Sequence, residues 1–142
     1  MKPLEFLGSS RDDLTAMPAG VRHDVGLELM RVQFGGQPVM SKKADPRFSD
    51  IRRARGSGNV FLDLGFDPAE AKVLALRAEV MIRLERHLKT QGWTQAETAK
   101  RLRITQPRVS RLIKGRWRDF SLDMLLTLAA RAGLEPELRL AA

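Results

Sequence analysis

Gln106, Ser110, Arg111 and Lys114 set an amide, a hydroxyl, a guanidinium and an ammonium at successive spacings of four, one and three residues. On an α-helix those spacings return to one side of the rod. This group of side chains has no nucleophile–base pair and no metal-ligand set. Its chemistry is hydrogen-bond recognition: in the major groove of duplex DNA a glutamine pairs with adenine and an arginine with guanine. Basic residues flank the rod on both sides. Lys100, Arg101, Arg103, Arg108, Arg111, Lys114, Arg116 and Arg118 occur with no acid between the first and the last. The chain carries a net charge of +8, so this window alone equals the whole excess. Charge concentrated in that way points to a phosphate-facing surface more strongly than a high net charge does.

Two helices must position these groups. Thr94 with Glu97 forms a capping box ahead of a helix of about 95–102. Thr105 can cap a second helix, with Pro107 tolerated in its first turn and Gly115 beyond its end. Only Arg103 and Ile104 lie between the two, a connection so short that the helices must cross steeply, as in a helix-turn-helix. Ala96 and Ala99 are small enough for close approach, and Val109, Leu112 and Ile113 are expected to bury together. Gln106, Pro107, Ser110 and Arg111 are then the candidate base readers. Gln95, Lys100, Arg103, Thr105, Arg108, Lys114, Arg116 and Arg118 are the candidate contacts to the DNA backbone.

The remaining segments supply a frame. Lys2 to Leu7 alternates weakly and predicts a short strand. Ser10 with Asp13 opens a short helix to about Met17, and Pro18 opens another whose apolar stripe is Val21, Val25, Leu29 and Val32, stopped by Gly35-Gly36. Residues 41–58 show no period and are expected to be a linker; the basic run "RRAR" in it is read as solvated charge. "NVFLDLGF" predicts a short strand or docking arm. Asp67-Pro68-Ala69-Glu70 opens a long helix with the stripe Val73, Leu76, Val80, Leu84 and Leu88, ending at Gly92. Ser121 with Asp123 opens a further helix that ends at Gly133, and Leu138 and Leu140 alternate as in a short edge strand. Trp117 is read as closing the core.

Several function classes drop out. The chain has no cysteine, which removes disulfides, thiol catalysis and cysteine-bound zinc. His23 and His87 have no second ligand at helical spacing, so no metal or other cofactor is expected. Asp12-Asp13 fits first-turn helix acids better than a catalytic pair. "RGSGN" lacks the continuation of a phosphate loop. No run of apolar residues is long enough to span a bilayer, and a cytoplasmic protein without enzyme activity is expected.

Residues 59–142 resemble the XRE-type helix-turn-helix antitoxins of the HigA class, through "SGNVFLDLGF", "WTQAETA", "ITQPRVSRLIKG" and "FSLDMLLTLAARAGLEPELRL". The resemblance implies a mainly α, lambda-repressor-like bundle with short flanking strands. It further implies a dimer that binds operator DNA, represses its own operon and holds a RelE/HigB-like ribonuclease toxin inactive. By position it places Gln106, Pro107 and Arg111 at bases and Gln95 and Arg108 at the backbone. The family usually has glycine where this chain has Arg103. Residues 2–38 resemble the opening strand and helical hairpin of HigB-type toxins, without that family's catalytic positions. The expected organisation is a truncated toxin-like segment at 1–40, the linker at 41–58 and the DNA-binding domain at 59–142. The alternative reading is an antitoxin whose main task is to bind the ribonuclease, with DNA contact secondary.

Overall fold

The structure, a computed structural model, describes residues 3–35 and 53–141. The fold is mainly α: seven α-helices and one two-stranded antiparallel ladder occur among the described residues. The elements are β1 (Glu5–Leu7), α1 (Ser10–Thr15), α2 (Ala19–Gln33), β2 (Arg53–Arg55), α3 (Val60–Asp63), α4 (Pro68–Gln91), α5 (Gln95–Leu102), α6 (Gln106–Ile113) and α7 (Leu122–Arg131). A single 3-10 turn, Trp117–Asp119, lies between α6 and α7. None of the described helices is long and apolar enough to cross a membrane. The chain forms two compact units, Met1–Ala75 and Leu76–Ala142, and α4 runs through the division.

In the first unit β1 pairs with β2, Glu5 opposite Arg55, Phe6 opposite Ala54 and Leu7 opposite Arg53. The Gly56 amide continues the ladder by donating to the Leu4 carbonyl at 2.8 Å. The expected linker therefore contains a paired strand at its far end, while its earlier part, 41–52, lies outside the described residues. A buried carboxylate fixes the chain after β2. Both Asp63 oxygens accept from the Ser57 amide at 3.1 Å, and Oδ1 also takes Arg11 Nη2 at 3.1 Å. "NVFLDLGF" is thus one helical turn and not a strand. The Asn59 side chain accepts from the Phe61 and Leu62 amides, which nucleates α3, and donates to the Ala71 carbonyl at 3.1 Å.

Helix α2 turns a different face inward from the one its valines and leucine suggest. Gly26, Leu27, Met30 and Gln33 are buried, and Val21 is exposed. The reason is Gly26: a Cβ there would lie 2.3 Å from the Phe61 ring, so only glycine lets α3 pack so closely. Helix α4 shows the same kind of offset. Asp67 caps it as expected, accepting from the Ala69 and Glu70 amides. However, Val73 and Leu76 are exposed, and Ala71, Leu74, Ala78, Met81 and Ile82 are buried. Adjacent residues on a helix are rotated by roughly 100°, so two apolar stripes overlap on this rod. They converge at Leu84 and Leu88, which are buried in either reading.

The second unit closes on Trp117, Phe120, Leu102, Leu112, Leu125 and Leu128, all fully buried. Arg77, from the α4 segment of this unit, ties down the 3-10 turn. Its Nη2 donates to the Trp117 carbonyl at 2.7 Å and its Nε to the Phe120 carbonyl at 2.8 Å. The same guanidinium lies 5.0 Å from the Trp117 ring centroid, and burial lowers its pKa from the usual arginine value. His87 meets the Ala132 carbonyl at 2.8 Å, near the end of α7, and Ser121 caps the start of that helix by accepting from the Met124 amide. The expected edge strand at Leu138 and Leu140 has no regular secondary structure, since no neighbouring strand completes a ladder with it among the described residues. Replacing Arg77 by Met keeps the stem and removes two charge-assisted hydrogen bonds, each worth about 1.5–3 kcal/mol. Urea unfolding of Arg77→Met is expected to show a loss of at least about 2 kcal/mol, with the Trp117 fluorescence transition at lower denaturant.

Candidate nucleic-acid interface

Helix α5 begins with the full reciprocal cap that its sequence requires. The Thr94 hydroxyl accepts from the Glu97 amide at 3.1 Å, and the Glu97 carboxylate accepts from the Thr94 amide at 3.0 Å. Thr98 and Ala99 face inward, and Leu102 is fully buried. Ala96, expected at the helix contact, is exposed instead. The inward face of α5 is made by Thr98, Ala99 and Leu102 in its place.

The turn itself is held by the last turn of α5. The Arg103 and Ile104 amides both donate to the Ala99 carbonyl, and Arg131 Nη1 donates to the Leu102 carbonyl at 3.0 Å. This wrap requires a left-handed residue, and Arg103 supplies it at φ 56° and ψ 42°. Among the described residues it is the only non-glycine with positive φ. At the end of α6 a left-handed glycine closes the helix with two separate carbonyls: Gly115 donates to the Leu112 carbonyl and Arg116 to the Arg111 carbonyl, with Gly115 at φ 72°.

Helix α6 buries Val109 and Leu112 completely. Ile113, expected to join them, is 44% exposed, because only Val109 and Leu112 of α6 lie on its packed side. Gln106, Pro107, Arg111 and Lys114 are exposed, and Ser110 is half-buried at the edge of the packed face. Thr105 holds the backbone conformation of a cap, but its hydroxyl makes no capping hydrogen bond. That leaves both the hydroxyl and the first amides of α6 facing outward.

The basic residues divide into two kinds. Gln95, Lys100, Arg103, Arg116 and Arg118 are exposed, as phosphate contacts must be. Arg108 is different. Its guanidinium carbon lies 5.1 Å from the Phe120 ring centroid, and its Nε is buried without a hydrogen bond among the described residues. Only its outer nitrogens can reach a ligand. Two contacts were not legible in the sequence. Asp119 Oδ2 stands 4.0 Å from Arg111 Nε, a loose ion pair across the 3-10 turn. Asp119 is also the first acid after the basic run, the one signal that could have marked it. The second is Arg101, whose guanidinium carbon lies 4.4 Å from the Trp93 ring centroid.

The arrangement is a short two-helix corner whose second rod offers an amide, a guanidinium and an ammonium to solvent, with further cations on both sides. Such a rod is narrow enough for the major groove. A family model described as a helix-turn-helix domain matches residues 60–141, more than half of the chain. No curated protein matches the chain. The left-handed turn generates a specific expectation. Arg103→Gly relieves a conformation that costs a side-chain-bearing residue about 1 kcal/mol relative to glycine. Equilibrium unfolding of that variant should show a gain of about that size with an unchanged denaturant slope.

Proposed function

The chain belongs to the helix-turn-helix domain family, and on that premise we propose that it is a sequence-specific DNA-binding regulator of the antitoxin type that represses its own toxin–antitoxin operon as a dimer. The observation that carries this reading is the division of α6. Val109 and Leu112 are sealed into the core, while Gln106, Pro107, Arg111 and Lys114 stand in solvent inside a window free of acids. In the proposed complex Gln106 and Arg111 read base edges, with Pro107 and Ser110 shaping the contact. Gln95, Lys100, Arg103, Thr105, Lys114, Arg116 and Arg118 neutralise or hydrogen-bond phosphates. Arg108 steadies the base of the rod against Phe120 and reaches the backbone with its outer nitrogens. Asp119 holds Arg111 loosely, so that guanine displaces it at small cost.

The toxin-related part of the proposal rests on the resemblance of residues 2–38 to the opening of HigB-type ribonucleases. We assign this segment as a truncated toxin start fused to a HigA-type domain at 59–142, acting in the cytoplasm beside a RelE/HigB-like partner. Its described elements, β1, α1 and α2, are a strand followed by two helices, the order in which that resemblance would have them. In the rival reading, toxin binding is the main task and DNA contact secondary. A chain that co-purifies with a small basic ribonuclease yet shows no preference for any DNA would favour the rival.

Gel shifts on the DNA upstream of the chain's own reading frame test the base readers. Arg111→Ala and Gln106→Ala are each expected to lose about 1–3 kcal/mol of preference for the operator over unrelated DNA. Full preference retained in both variants would remove them as base readers. Lys114→Ala should act differently. It should weaken binding to operator and unrelated DNA alike, and lower the slope of log affinity against log salt by about one.

A further inference from the structure

One acid stands beside the proposed base reader. From Lys100 to Phe120 the chain has eight basic side chains and a single carboxylate, Asp119. Its Oδ2 lies 4.0 Å from Arg111 Nε, and the Arg111 and Asp119 side chains are 54% and 47% exposed. An exposed pair at that distance adds almost nothing to stability. Yet the turn that carries the carboxylate is held on both sides. Trp117 and Phe120 are fully buried, and Arg77 donates to both of their carbonyls, at 2.7 and 2.8 Å. The Asp119 amide itself donates to the Arg116 carbonyl at 3.2 Å. A backbone fastened in this way fixes where the negative charge stands. Glu97, the nearest acid before the window, is committed to the Thr94 cap instead. We propose that Asp119 is a specificity-determining residue: its carboxylate keeps Arg111 off the phosphates and leaves it for guanine. The inference deepens the proposed function and rests on its DNA-binding reading.

Phosphate and base contacts respond differently to a nearby carboxylate. A phosphate is drawn to Arg111 by charge, and binding to unrelated DNA is essentially all of this kind. Seen from a phosphate, the guanidinium and the carboxylate are a nearly neutral pair. The phosphate must also approach a second anion, which repels it. Guanine carries no charge. Its O6 and N7 accept two hydrogen bonds from the fork of a guanidinium. Such a partner asks only that the loose 4.0 Å contact be given up. The carboxylate therefore weakens the phosphate contact of Arg111 more than its base contact, and the preference for a guanine-bearing site rises. Asp119 touches no base in this scheme. It acts through Arg111 as a positioning residue, so its effect on preference must vanish when Arg111 is removed. A general repulsion between Asp119 and the DNA backbone behaves otherwise, since it lowers affinity for every duplex alike and outlasts the loss of Arg111.

The test uses the full chain and measures affinity by fluorescence anisotropy over a range of salt concentrations. Two duplexes are compared: one that the wild-type chain enriches from a random-sequence library, and a scramble of the same composition. Asp119→Asn keeps the shape of the side chain and removes its charge. It is expected to tighten binding to the scramble about three- to tenfold, with a smaller change on the enriched duplex. On the scramble the slope of log affinity against log salt should steepen by about one, as Arg111 gains a phosphate. Asp119→Glu, which keeps the charge, should hold most of the preference. In an Arg111→Ala background Asp119→Asn should leave the preference unchanged. Urea unfolding of Asp119→Asn should match wild type, because the exposed pair stabilises little. Wild-type preference in Asp119→Asn would overturn the proposal and leave the regulatory reading intact. Equal tightening on both duplexes would do the same, since the charge would then act on the whole surface and not through Arg111. A wild-type chain that enriches no duplex would sink the DNA-binding reading and this inference with it.

Discussion

The three-residue connection between α5 and α6, Arg103 to Thr105, is the constraint on which the site depends. It forces a steep crossing, and it works only because Arg103 takes a left-handed conformation and the Ala99 carbonyl accepts from two successive amides. The strain of about 1 kcal/mol at an L-residue is smaller than what it makes available. Burying Val109 and Leu112 contributes about 1.5–3 kcal/mol each, and both are fully enclosed. The polar side of α6 is outward for the same reason that its apolar side is inward. One rotation of the rod by a single residue would hide Gln106 or Arg111 and expose a core side chain.

Around this corner the second unit behaves as a clamp. Trp117 and Phe120 fill the space beneath α6, and Arg77 satisfies both of their carbonyls from α4. Arg131 does the same for Leu102 at the end of α5. Arginine serves two purposes in this protein. Arg77 and Arg131 are structural donors to buried carbonyls, Arg108 is half structural, and Arg103, Arg111, Arg116 and Arg118 remain exposed. The planar fork of the guanidinium explains the first use, since one side chain, Arg77, serves two carbonyls three residues apart. Net charge by itself therefore overstates the charge available to a polyanion.

In the first unit Asp63 fixes the chain beside an apolar core of Phe6, Leu27, Val60, Phe61 and Leu64. Its carboxylate joins the Ser57 amide and Arg11, so the chain after β2 returns to α3 in one defined way. Gly26 then allows Phe61 against α2 at a distance no side chain would permit. Neither contact follows a periodic pattern, which is why the reading of this region as linker and docking arm differs from the paired strand and capped turn that form there.

Local signals were legible in the sequence wherever a few neighbouring residues complete the interaction. The Thr94–Glu97 box, the Asp67 and Ser121 caps, the glycine stops at 35, 92, 115 and 133, and the helix-turn-helix spacing all depend on contacts within about five residues. Burial of Val109, Leu112 and Trp117 was legible too, because few alternatives compete on so short a rod. Which stripe of α2 and α4 turns inward was not, since each helix carries more apolar positions than one face holds. Ile113 and Ala96 stayed exposed for a related reason: whether an apolar residue is covered depends on which side of its helix is packed. Arg103 was recognisable as the odd residue of the turn, but its positive φ is imposed by the crossing of the two helices. The sequence alone determined where α4, α5, α6 and α7 begin and stop and that α6 has two sides. The tertiary structure decided which partner each side meets, because packing selects among faces that local chemistry leaves equivalent.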